Sequence, residues 1–175
     1  MHVKRIPEVH EFGNAPVEHN PDDNWWILRL NRYNGTDSNT KHINFGILSR
    51  NMLKPYLYKD IKNKIDPKGN KFLKYYIPSN NKQFIINLIN YTETYFCRIC
   101  LYLIQNSCEL GRGECRFIPY FNFSDNIFNN TVENIDLYLF KKYHISQDIV
   151  NHILEILPNY YNLDISKYKN IKVEN

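Results

Sequence analysis

The chain has 175 residues, 43% hydrophobic and 23% charged, which fits one soluble globular domain with a core of its own. Its net charge of +4 is too small to imply nucleic-acid binding by itself. No segment is apolar for long enough to span a bilayer, and residues 1–20 lack the apolar stretch of a secretion signal, so an intracellular, cytoplasmic protein without a membrane partner is expected.

Residues 1–24 hold Pro7, Gly13, Pro16 and Pro21 among charges without a period, and read as an extended lead-in. A single domain is expected over 25–161. It opens with a strand at Trp25–Leu30, followed by a loop at Asn34–Asn39 whose Asn-Gly pair is a turn signal. Ile43–Leu48 reads as a second strand and Phe72–Ile77 as a third, the latter stopped by Pro78. Between them lies the basic segment Lys59–Lys71, with its turn at Asp66–Asn70. A long helix capped by Ser79 or Asn80 should follow, because Phe84, Leu88, Tyr91, Tyr95, Ile99 and Tyr102 recur every three or four residues. Ile85, Ile89, Phe96, Leu103 and Ile104 widen that stripe beyond one face, as in a central helix. Cys115–Ile118 suits a short strand before Pro119, and Asp125–Asn134 a loop. Residues 135–143 suit a short helix, and Ser146 caps a last helix that ends before Pro158. Residues 162–175 read as a polar tail. The sum is an α+β fold: a small early β-sheet, a long central helix and two short C-terminal helices.

Charge is distributed unevenly. Residues 1–24 hold two basic and five acidic side chains, residues 25–80 eleven basic and three acidic, and residues 81–175 nine basic and ten acidic. A basic block of this kind attracts phosphates even in a nearly neutral protein. Within it Arg29, Arg32, Lys41, Arg50, Lys54, Lys68, Lys71 and Lys74 alternate with Trp25, Trp26, Tyr33, Tyr56 and Tyr58. Arginine grips guanine through two hydrogen bonds, asparagine grips adenine, and lysine neutralises phosphate. The expected DNA-contacting set is Arg29, Arg32, Asn34, Lys41, Arg50, Lys54, Lys68 and Lys71.

Motifs for chemistry are missing. The chain has no Glu-x-Lys to pair with an aspartate around magnesium, no phosphate-binding Gly-rich loop and no G-x-S-x-G elbow. Cys97, Cys100, Cys108 and Cys115 could supply four thiolates to zinc, but the first two fall inside the expected helix, where reduced cysteines serve core packing. The six histidines are scattered. No catalytic residue, cofactor or metal is expected. The 25 asparagines beside the single Ala15 suit an AT-rich genome, whether bacterial, phage or viral.

Three phrases carry a further signal: Tyr91-Thr92-Glu93-Thr94-Tyr95-Phe96-Cys97-Arg98-Ile99-Cys100-Leu101, Arg116-Phe117-Ile118-Pro119-Tyr120-Phe121, and Leu137-Tyr138-Leu139-Phe140-Lys141-Lys142-Tyr143-His144-Ile145-Ser146. In this order they resemble the C-terminal part of the DNA target-recognition region of restriction-modification enzymes that methylate adenine at N6. The resemblance covers about 80 residues. The family's Asn/Asp-Pro-Pro-Tyr/Phe tetrapeptide and Gly-rich cofactor turn are absent, Arg116 stands in place of the usual aromatic or lysine, and Ser146-Gln147-Asp148 is less acidic than the family's phrase. The resemblance thus implies double-stranded DNA as partner, and a methyltransferase or endonuclease subunit as a further one, with no catalysis by this chain. It casts Phe96, Ile99, Leu103, Phe117, Leu137, Tyr138 and Tyr143 as scaffold residues that pack together. Two rival expectations remain. One is a small viral or phage interaction or structural protein anchored by the acidic lead-in and an exposed Trp25-Trp26, since tryptophan concentrates at binding hot spots. The other is a nucleic-acid enzyme whose site follows no known motif.

Overall fold

The computed structural model describes residues 10–11, 22–30, 54–62, 64, 75–104, 119–159 and 161–171. Four antiparallel strands, β1 (His10–Glu11), β2 (Trp26–Leu30), β3 (Tyr56–Leu57) and β4 (Tyr75–Ser79), form one sheet in the order β1-β4-β2-β3. The lead-in therefore contributes an edge strand. The expected strand at Ile43–Leu48, the loop at Asn34–Asn39, the turn at Asp66–Asn70 and the strand at Cys115–Ile118 lie outside the described residues. Strand alternation gives the sheet two faces. Leu28 stands opposite Ile77, and both join the main core. Ile27 and Tyr76 point the other way and form a small second core with Tyr58 and Ile61 of the one-turn helix α1 (Tyr58–Ile61).

β4 runs through Pro78 to Ser79, where the sequence suggested a stop at Pro78. β1 pairs only with Tyr75 and Tyr76, so no described strand lies beside Pro78 on that side, and a residue without an N–H is tolerated there.

The long helix is two helices, α2 (Lys82–Glu93) and α3 (Tyr95–Ile104). Asn81, rather than Ser79 or Asn80, caps α2, its side chain accepting from the N–H groups of Gln83 (2.9 Å) and Phe84 (3.3 Å). Thr94 makes the break. Its backbone is extended, and its N–H donates to the Tyr91 carbonyl. Its hydroxyl also donates to the Tyr91 carbonyl (2.6 Å) and accepts from the Cys97 N–H (3.0 Å), so one residue ends α2 and caps α3. The first two N–H groups of α3, those of Tyr95 and Phe96, donate to the Asp136 carboxylate at 2.8 Å each. Asp136 comes from α4 (Val132–Lys142), which begins inside the stretch expected as loop, after a 3-10 turn at Asn126–Asn129. A carboxylate from a neighbouring helix thus satisfies groups that continuous helix would have satisfied internally.

His144 adopts a left-handed backbone (φ 52°) where the chain leaves α4. The N–H of Ile145 reaches back to the Phe140 carbonyl (2.8 Å), closing the helix end. Ser146 caps α5 (Gln147–Ile156), as the sequence indicated, accepting from the Ile149 N–H (3.4 Å), and the helix stops before Pro158. The segment expected as a polar tail is instead a strap as far as Ile171. Leu163, Tyr168 and Ile171 are buried in the main core, with a 3-10 turn at Ile165–Tyr168. Polar side chains of α4 and α5 hold it. Tyr168 donates its hydroxyl to Asp136 (2.8 Å), Gln147 donates to the Tyr168 carbonyl and accepts from the Ile171 N–H, and Glu133 accepts from the Asp164 N–H. The apolar residues of this segment follow neither a helical nor a strand period, which is why composition alone reads it as tail.

The main core is built on rings. Phe123 contacts Phe84, Tyr91, Tyr120, Phe121 and Phe128, with centroids 5.0–6.3 Å apart. Asn87 of α2 ties this cluster down by donating to the Phe123 carbonyl (2.6 Å). Of the residues the resemblance casts as scaffold, Phe96 stacks on Tyr143 (5.1 Å), and Ile99 and Leu137 pack on the core. Two do not fit that role: Leu103 is 74% exposed, at the last turn of α3, and Tyr138 lies on the outer side of α4. Phe117 lies outside the described residues.

Candidate nucleic-acid interface

The basic block meets the described structure at the corner of β2, β3 and α1. A turn from Asp22 to Trp25 leads into β2, closed by the Trp25 N–H on the Asp22 carbonyl (2.8 Å). The corner is then stitched by the Tyr58 N–H on the Trp25 carbonyl and the Lys59 N–H on the Asp23 carbonyl, both 3.0 Å. Lys54, Lys59 and Lys64 are exposed around it, and Lys62 is half-buried.

Aromatic rings support the cations. The ammonium of Lys54 sits 5.4 Å from the Tyr56 ring centre, that of Lys62 5.7 Å from Tyr58, and that of Lys82, in the first turn of α2, 4.5 Å from Trp26. Lys62 also pairs with the Asp23 carboxylate. Burial raises the Tyr58 hydroxyl above the ordinary tyrosine range, with Lys62 pulling it down and Asp23 pushing it up. Burial, helped by Tyr58, pushes its ring neighbour Tyr76 up to about 12. Both phenols therefore stay neutral at physiological pH, and the corner's charge comes from its lysines and aspartates.

Of the expected contact residues, Lys54 is exposed on this corner, and Arg29 lies on β2 opposite Tyr76 in the register. Arg32, Asn34, Lys41, Arg50, Lys68 and Lys71 lie outside the described residues. Lys59, Lys62 and Lys64 belong to the corner but not to the expected set, and Lys82 lies over Trp26 on the main-core side of the sheet. The basic run from Lys59 was visible in the sequence, whereas its approach to Trp25 and Asp23 depends on strand pairing. Trp25 and Trp26 are half-buried rather than exposed anchors, and Trp26 packs on the main core.

Other candidate chemistry stays apart. Cys97 is buried in α3, and burial pushes the neighbouring Cys100 thiol up to about 11, against a reactive thiolate. Among the described residues no three His, Cys, Asp or Glu side chains gather as metal ligands, and no helix is long and apolar enough to cross a membrane. Comparison with protein-family models, curated proteins and solved structures finds no match to this chain.

Proposed function

We propose that this chain is a DNA-binding module, akin to the target-recognition region of restriction-modification enzymes, which binds duplex DNA through basic strand ends and loops within residues 25–80 and performs no catalysis itself. The observation that carries this reading is the eleven-to-three excess of basic over acidic residues in that third of the chain. The exposed lysines around Tyr56 and Tyr58 and the Lys82–Trp26 pair are consistent with it. Lysine neutralises phosphates without regard to sequence, while arginine and asparagine in neighbouring segments supply base readout. The proposed contact set remains Arg29, Arg32, Asn34, Lys41, Arg50, Lys54, Lys68 and Lys71, with Lys59 and Lys64 added from the corner. A methyltransferase or endonuclease subunit is the proposed protein partner.

Fluorescence anisotropy with a labelled random-sequence 30-base-pair duplex tests this. Affinity should fall steeply from low to moderate salt, with log K falling by about 0.9 per phosphate contact for each unit of log salt. Neutralising Lys54, Lys68 or Lys71 with glutamine should each flatten that slope by about one contact, and neutralising Arg29, Arg32 or Arg50 should weaken binding. Absence of binding at low salt, or binding without a salt slope, would sink the proposal.

A further inference from the structure

The basic corner already holds an anion of its own. The Asp23 carboxylate closes on Lys62, whose ammonium is also set over the Tyr58 ring. The turn that carries Asp23 is fixed by backbone hydrogen bonds from Trp25 to Asp22 and from Lys59 to Asp23. Asp23 is thus held in place by main chain, while its side chain remains 58% exposed and that of Lys62 30% exposed. An ion pair this open to water is weak and exchanges readily. A phosphate arriving at Lys59 and Lys64 would meet a Lys62 that is positioned, ring-supported and only loosely occupied.

We propose that Asp23 is an intramolecular stand-in for a DNA phosphate, and that Lys62 is a phosphate-contacting residue which Asp23 restrains. The inference rests on the DNA-binding reading and adds regulation of that site. Non-specific duplex must displace Asp23 to gain the contact, so weak encounters are penalised, whereas a cognate duplex held by further contacts displaces it. Asp22 is the internal comparison: it is exposed, carries the same charge one residue away, and contributes its backbone carbonyl to the turn.

The experiment is anisotropy with the labelled random 30-base-pair duplex across a salt series, using wild type, Asp23→Asn, Asp22→Asn, Lys62→Gln and the Asp23→Asn/Lys62→Gln double variant. Far-ultraviolet circular dichroism and thermal melting confirm that each variant folds. Asp23→Asn should tighten binding about two- to fivefold at low salt, the range of one exposed ion pair, and steepen the salt slope by about 0.9. Asp22→Asn should give a smaller gain with no change of slope, and the gain of Asp23→Asn should fall to that of Asp22→Asn when Lys62 is glutamine. Equal effects of the two asparagine variants, or a gain that survives Lys62→Gln undiminished, overturn this inference while leaving DNA binding intact. No binding by any variant overturns both.

Discussion

Replacing Asp136 with alanine is expected to cost about 3–5 kcal/mol of stability at pH 5, the scale of a buried polar network that loses its acceptor. Asp136 is fully buried and accepts from the Tyr95 N–H, the Phe96 N–H and the Tyr168 hydroxyl. Alanine would strand all three donors and release both the start of α3 and the C-terminal strap. Arg98, also buried, donates to the Pro158 carbonyl and lies against the Tyr95 and Tyr161 rings near this network. Chemical denaturation followed by circular dichroism measures the loss. A cost below about 1 kcal/mol, the scale of a single ordinary hydrogen bond, would show that water replaces the carboxyl group.

The effect should depend on pH. Burial pushes the Asp136 carboxyl up to about 7, outweighing the hydrogen bonds from Phe96, Tyr95 and Tyr168 and the attraction of Arg98 that pull it down. In the unfolded chain an aspartate titrates near 3.9, so the folded protein binds the proton more tightly. The stability from this group is fully present below about pH 4 and is lost as pH rises through about 7. Wild type should therefore lose stability between pH 5 and pH 8, by on the order of a few kcal/mol, and the gap to Asp136→Ala should narrow over that window. The Asp136→Asn variant, which cannot ionise, should show a flatter profile there. A wild-type profile parallel to that of Asp136→Asn would mean that the carboxyl does not titrate in this range.

Phe123→Ala is expected to be comparably damaging, at about 3–5 kcal/mol. The ring is fully buried and contacts five other aromatic rings. Its loss removes both the apolar area and the edge-to-face contacts, and the surrounding rings are too rigid to fill the gap. Phe123→Leu should recover about half of the loss, because it restores bulk without a ring. Thermal melting of the two variants beside wild type gives the comparison, and a melt for Phe123→Ala within a degree or two of wild type would contradict a central role for this ring.

The α+β class, the placing of the longer helices after the sheet and the start of α5 at Ser146 were legible because each is local: strand composition, helical spacing and a capping residue lie within a few positions of one another. The break at Thr94 was not. It lies between apolar residues that keep helical spacing on both sides, and what stabilises it is Asp136, about forty positions later. One clue was present. Ile135, Asp136, Leu139 and Phe140 share the buried side of α4, and a carboxylate on a buried stripe needs donors from elsewhere. The strap after Tyr161 was hidden for a similar reason, since Leu163, Tyr168 and Ile171 become core only once α4 and α5 are in place. Of the basic corner, the lysines from Lys59 onward were readable as a charge run. Their convergence with Asp23 and Trp25 follows from pairing of β3 with β2, which no local pattern encodes.

The corner's footing is small. Among the described residues it rests on Ile27, Tyr58, Ile61 and Tyr76, with Tyr56 packed against them, a cluster separate from the one that joins the helices to the other face of the sheet. A one-turn helix seated on such a cluster opens at a lower free energy than the domain as a whole. Amide hydrogens of α1 should therefore exchange with solvent long before those of α2 and α4. The basic corner can then rearrange locally, while the helical layer keeps its shape.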